Sequence, residues 1–410
     1  MKIKWKNNKK LKPQIILDKI DEAKSIKDGK VSYSAFDYHD SYVALFSMLE
    51  VPTSIQNDIN LERLLSGSLS EVALDGKITK DTFIKKININ LQKELSKKEI
   101  KYHLLTSISI YGDIPFKSKE IFGARIRFIS EYPRKFSSRD KLINDMGDKF
   151  IESHNGYVKV IVSLKAKSPQ IGFSKGMKAL DQLRALLNLF VNPNLELFGD
   201  KLLPINRIRL GQVHTMHKEN GNGATDKTIW FEPNFILAKP YQFKNLDTLK
   251  HNLFWALDKL SQSSYDKIIK NSLVRYVRSL DESDHNNGLI KIWGAIESLA
   301  APKEANYDKI VKRCSFLFKE AKYHAQLLEH LREYRNESIH AGDQSERAKT
   351  NCFQLQYYYV QLVIFHLKHV DEFSNLQEAN SFLDLPDCEI ALEQKRKLVK
   401  LAFDYREMDS

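Results

Sequence analysis

A change of hydrophobic period near residue 242 constrains this chain more than any other feature. Before it, segments 104–111, 122–131 and 157–165 are short, alternating and rich in β-branched residues, which predicts strands. Segment 176–191 has helical period, and segments 205–214 and 228–236 are again strand-like. Between those two, His217–Asp226 is rich in Gly and Asn and reads as a hairpin connection. Residues 1–100 are polar and mostly helical in pattern, with a strand candidate at Tyr42–Leu49. From about residue 242 the pattern is wholly helical, with expected helices at 246–261, 264–280, 288–300, 306–320, 323–341, 345–370 and 387–404. Segment 353–367 is apolar almost all round and is expected to be the buried central helix of a bundle. The scarcity of Gly (16) and Pro (11) in 410 residues also favours a helix-rich architecture. The expected fold is therefore an α+β N-terminal part, residues 1–240, followed by an all-α C-terminal helical bundle, residues 241–410. A break near residue 100 would divide the first part into two subdomains.

Charge follows the same division. The net charge is +12, yet residues 251–410 hold 22 Lys and Arg against 24 Asp and Glu. The preceding 250 residues hold 42 basic against 28 acidic residues, an excess of +14. Such a surface favours polyanions, meaning nucleic acid or an acidic membrane face. The competing reading is a solubilising coat, because runs such as Lys93 to Lys98 look like solvated helix faces. Three cysteines, Cys314, Cys352 and Cys388, are too few and too far apart for a disulfide framework or a cysteine zinc site, and fit a reducing cytosol. The charged N-terminus leads into no apolar segment of the signal-peptide kind, and no stretch approaches the length of a membrane span. A cytoplasmic protein with no membrane partner is expected.

One stretch carries a chemical pattern: Arg332-Glu-Tyr-Arg335-Asn336-Glu-Ser-Ile-His340-Ala-Gly342. It ends the helix that begins near Tyr323, with Gly342 placed as a C-terminal stop. At about 100° per residue, Leu327, Leu328, Leu331, Tyr334 and Ile339 share an apolar sector, and Arg335 falls inside it. A cation there needs an anion, a partner subunit or a ligand. Arg332, Asn336 and His340 follow a separate polar ridge. This set suits phosphodiester chemistry on RNA. His340 can move a proton to or from a 2′-hydroxyl or leaving oxygen, Arg335 can hold non-bridging phosphate oxygens, and Asn336 can orient the imidazole or a ribose hydroxyl. No metal and no cofactor is called for. Spacing alone is not specific, since Arg209–His214 and Arg278–His285 repeat it, and cations near a helix C-terminus also complement its dipole.

The ordered set Trp293-Gly-Ala-Ile-Glu297-Ser-Leu, then Ile310-Val-Lys-Arg313-Cys-Ser-Phe-Leu, then Tyr334-Arg335-Asn336-Glu-Ser-Ile-His340-Ala-Gly342 resembles the C-terminal part of the HEPN superfamily, more closely its Apea-like branch of bacterial antiviral defence proteins. The resemblance covers roughly residues 246–373 and does not extend to residues 1–240. It implies a metal-independent ribonuclease whose composite active site forms where two helical domains meet in a homodimer. Arg335, Asn336 and His340 take the places of the signature, and Glu297 matches a position that would orient Arg335 or His340 unless it is only a surface residue of an amphipathic helix; Arg332, on the polar ridge, is a further supporting candidate. It also implies a toxin or antiphage effector released by a phage or cellular trigger. Some members of the superfamily only bind or scaffold, so the alternative is a non-catalytic dimerisation module that binds nucleic acid or protein. Trp293 and Ile296 are expected in the core, as are Tyr357-Tyr358-Tyr359, whose successive helical positions cannot form one stacking surface.

Overall fold

The computed structural model describes residues 1–406 apart from 53, 54, 57, 146–155, 197–202, 226, 227, 234, 303–305 and 342–346, and describes only the backbone of Ala35, Asp37, Ile339, His340 and Ala341. The chain begins with β1 (Lys4–Trp5), α1 (Pro13–Glu22), β2 (Lys24–Lys27), β3 (Lys30–Tyr33), α2 (Ala35–Met48), β4 (Leu49–Glu50), α3 (Leu61–Asp75) and α4 (Lys80–Ser96). Asn60 caps α3, and Thr79 with Thr82 forms a capping box on α4. These elements bury their own core, from Ile3 and Leu17 to Phe83 and Leu91. The strand expected at Tyr42–Leu49 is a correction: all but its last residue lies in α2, where Tyr38 stacks on Tyr42 and Tyr42 meets Phe46 edge-on at helical spacing.

The next elements are β5 (Ile100–Ile108), β6 (Ser118–Ile121), β7 (Ala124–Ile129), a 3₁₀ turn (Arg134–Phe136), α5 (Ser138–Asn144), β8 (Val158–Ala166), α6 (Pro169–Val191), β9 (Val213–Lys218) and β10 (Trp230–Phe231). The strands form one antiparallel sheet in the order β10-β9-β5-β8-β7-β6. Helix α6 lies on one face. Cβ atoms at Gly172 and Gly176 would stand 2.9 Å from Met216 and 3.0 Å from Leu104, so the two glycines let the helix approach closely. The opposite face buries Leu105 and Ile161 under Phe136 of the 3₁₀ turn. Of segment 205–214, only the last two residues reach β9. The preceding residues are irregular because Asn206, Arg207 and Arg209 tie their backbone to side chains and to loop carbonyls. Segment 228–236 contributes two strand residues, paired with β9 across the expected hairpin.

The helical part contains α7 (Leu246–Gln262), α8 (Asp266–Leu280), α9 (His285–Ala300), α10 (Tyr307–Ser315), α11 (Ala321–Ala341), α12 (Ala348–Lys368), α13 (Leu376–Leu383) and α14 (Glu389–Tyr405). The fold is thus a mixed α/β region followed by an all-helical part. Helix α12 is its central helix and buries Phe353, Tyr358, Tyr359, Leu362 and Val363, while Trp293 and Ile296 of α9 are fully inside. The short α13 falls in a segment that carried no helical expectation; Asn375 caps it and Leu376, Ala379 and Leu383 anchor it. The sheet and the helices share one core, running from Tyr102 on β5 through α6 to Leu383.

A buried polar network crosses this shared core. Arg184 of α6 is fully enclosed and pairs at 2.8 Å with both Asp181 and Asp281. Arg278 of α8 reaches Asp181 at 2.6 Å and Glu232 at 2.8 Å. Burial works against ionisation of Glu232, but His214 and the Arg278 guanidinium outweigh it and hold the carboxyl at about 2. No described helix is long and apolar enough to cross a membrane.

Candidate functional site

Three elements assemble the site around Arg335. Asn306 caps α10 by accepting from the Lys309 N–H, which fixes Tyr307 as the first residue of that helix. The Tyr307 ring stands edge-on to buried Trp293 at 6.1 Å, so the core supports it from below. Above the same ring lies the Arg335 guanidinium, 4.8 Å from its centroid. Helix α11 is held against α9 by Tyr334, whose hydroxyl donates to Asn286 Oδ1 at 3.0 Å, and by Ser338, whose hydroxyl lies 3.4 Å from the same oxygen. Leu328 and Leu331 anchor the apolar side of α11.

Arg335 and Asn336 are brought together: Arg335 Nη1 donates to Asn336 Oδ1 at 3.1 Å. Arg335 is half-buried, its Nε is enclosed without a hydrogen-bond partner, and among the described residues no carboxylate pairs with it. The cation expected in the apolar sector is therefore met by a ring face and an amide. Among the described residues no anion offsets its charge. Arg332 is placed differently. It pairs with Asp308 at 2.7 Å and with Glu329 at 3.2 Å, and stands 5.9 Å from the Tyr307 centroid. Glu297 is half-buried on α9 and makes no hydrogen bond or ion pair with Arg335. His340 follows Asn336 by one helical turn on α11; its side chain, with that of Ile339, lies outside the described residues, as does Gly342.

Both repeats of the spacing have structural roles. Arg209 donates to the carbonyls of Asn206 at 2.9 Å and Pro204 at 2.7 Å, and His214 Nδ1 shares a 2.7 Å hydrogen bond with Thr106. Arg278 belongs to the buried network, and His285 Nε2 contacts the Leu203 carbonyl at 3.1 Å. Among the described residues, no group of three or more His, Cys, Asp or Glu side chains is placed to hold a metal ion.

A second feature escaped the reading of the sequence. A cleft of about 1190 Å³ opens at the end of the sheet nearest the β6–β7 turn, and eight Lys or Arg residues line it against two Glu. The total charge excess pointed to the right part of the chain but not to these residues. The strand alternation was the usable signal, since Lys101, His103, Arg125, Arg127, Ser163 and Lys165 fall at alternate positions of β5, β7 and β8.

Comparison of the chain with family models, with curated proteins and with solved structures finds no match.

Proposed function

We propose that the chain is a metal-independent endoribonuclease acting as a homodimer, with one composite site made from the α11 ends of two copies. The observation that carries this reading is Arg335: a half-buried guanidinium fixed on the Tyr307 face and against Asn336, with no carboxylate among the described residues. A cation held rigidly and left uncompensated is suited to the non-bridging oxygens of a phosphodiester, where its planar fork donates two hydrogen bonds. The ridge spacing puts His340 one turn from Asn336, where an imidazole would take the proton from the ribose 2′-hydroxyl as it attacks the phosphorus. The 5′-oxygen leaves, and a 2′,3′-cyclic phosphate results. Release by a phage or cellular trigger, as a toxin or defence effector, belongs to the same reading and rests on the resemblance of residues 288–343.

The experiment is incubation of purified protein with end-labelled RNA in EDTA, beside a substrate with 2′-deoxyribose at the cut site. Cleavage of the first alone, leaving a cyclic phosphate or 3′-phosphate, is expected. Binding of RNA without cleavage would favour the non-catalytic module, and cutting of the deoxy substrate would overturn the proposed mechanism.

A further inference from the structure

The cleft at the end of the sheet is a separate site. Residues directly opposite on neighbouring strands share a face. The register pairs Lys101 with Lys165, His103 with Ser163, Arg125 with Ser163 and Arg127 with Ile161. One face of β5, β8 and β7 therefore carries four cations beside a histidine, where the 3₁₀ turn and its Phe136 leave it uncovered. Lys175 and Lys178 of α6 line the other flank of the same cleft.

These charges are not all neutralised locally. Lys101 pairs with Glu219 at 3.1 Å and Arg125 with Glu120 at 3.2 Å, both exposed pairs worth little, while Lys175 pairs with Asp58 and Lys270 with Asp266, each at 2.5 Å. Among the described residues, no carboxylate pairs with Arg127, Lys135, Lys165 or Lys178. His103 adds an observation of a different kind. It is only 6% exposed, its Nδ1 is engaged by Ser163 Oγ at 2.8 Å, and its Nε2 is enclosed without a partner while the residue lines the cleft. A buried donor or acceptor left unmade is costly, and a ligand oxygen or hydroxyl in the cleft would satisfy it.

We propose that this cleft binds a single nucleic-acid strand through its phosphates. The lining separates this ligand from a small phosphorylated molecule. The cleft exceeds the usual range of small-ligand pockets, about 300–1000 Å³. Phe122 is the one aromatic side chain besides His103 among its described lining residues, so there is no apolar chamber for a base. The cations of the sheet face and those of α6 follow one another round the end of the sheet along one continuous cleft, a path that one line of phosphates can take, whereas a duplex needs them spread over a broad face. Recognition is of backbone rather than sequence, and it stands apart from the reading of α11.

The test is fluorescence anisotropy with full-length protein and an oligonucleotide of about 16 nucleotides, the upper end of the usual site size for a backbone-tracking groove. Deoxyribose and 2′-O-methyl strands are used, since neither can be cleaved through a 2′-hydroxyl. Affinity is expected to fall steeply between about 50 and 200 mM salt. R127Q combined with K165Q should weaken binding at least tenfold and lower the slope of log affinity against log salt by about two, one for each lost phosphate contact. K9Q combined with K10Q, outside the cleft, should change affinity less than twofold. R127E alone serves as a second variant, and unchanged circular dichroism and melting establish that each variant is folded. The proposal is overturned if the cleft variants bind as wild type does, if K9Q with K10Q loses as much affinity, or if a duplex of the same sequence binds more tightly than the strand. Inorganic triphosphate competing at equal concentration would also overturn it.

Discussion

Arg335 differs from Arg184, Arg278, Arg313 and Arg332, which each face a carboxylate, and from Arg209, which faces backbone carbonyls. It faces a tyrosine ring, as Arg139 and Arg207 also do, and adds to it the amide of Asn336. That difference sets the expected outcome of substitutions under the proposed mechanism. H340A should lower the RNA cleavage rate by about 10²–10⁴ with binding little changed, as loss of a general acid or base does. R335K should rescue R335A poorly, because an ammonium reproduces neither the planar fork nor the stacking on Tyr307. N336A and Y307L should give smaller losses, through a less firmly held guanidinium, and H214A should leave the rate unchanged. Single-turnover rates decide the matter: H340A cleaving as fast as wild type would remove the proposed chemistry. Buried histidines give a second expectation, about stability. Burial pushes His103 and His217 down to about 4 and His366 down to about 3. The folded chain thus keeps them neutral while the unfolded chain takes up protons below about 6.5, so stability is complete above that pH and falls as pH drops towards about 4. The urea midpoint should be clearly lower at about pH 5 than at about pH 7, and the difference should shrink in H366Q. A midpoint level across that interval would contradict the burial assigned to these rings.

At the scale of elements, the β9–β10 connection has a position that admits only glycine. Gly221 has φ +91°, and a Cβ there would lie 2.1 Å from the Lys135 carbonyl oxygen. His217 Nδ1 and Ser138 Oγ both contact the Gly221 carbonyl, so the turn, the 3₁₀ segment and α5 are locked together. G221A combines a left-handed conformation with a backbone collision and is expected to cost about 2–4 kcal/mol. Thermal unfolding measures it, and a loss below about 0.5 kcal/mol, the usual surface effect, would show that the turn can move. Helix α6 was legible from its period, but its N-terminal extension to Pro169 and the close seating of Gly172 and Gly176 were not, because they depend on which sheet residues lie beneath. Tyr42–Leu49 shows the opposite error. A short apolar run fits either period, and packing against α1 and the core around Leu45 decided for helix.

For the whole molecule, α14 is the element with no core of its own to join. None of its described residues is buried, and Ile390, Leu398, Leu401 and Tyr405, at 75, 64, 62 and 86% exposure, fall within one sector of the helix. A lone helix of this length is marginal in water, so a covering partner is expected. Under the proposed dimer that partner is a second copy, and L398E with L401E should reduce the light-scattering mass from two chains to one. A single-chain mass for wild type with cleavage retained would count against the composite site. The core shared by the sheet and α7–α13 carries a different expectation: these parts should melt in one transition, because neither closes a core without the other.

Local pattern determined the change from strand to helix near residue 242, the burial of α12, the charge excess of the first 240 residues and the placing of Arg335, Asn336 and His340 on one helix. Those features follow from repeats of 2.0 and 3.6 residues and from covalent order, which neighbours in the chain settle among themselves. Tertiary structure alone decided that Tyr307 would lie under Arg335, that Lys101, Arg125, Arg127 and Lys165 would share one face, and that Arg184 would join Asp181 to Asp281. Each of those depends on register or on contact between distant segments, fixed by the burial of whole faces against one another.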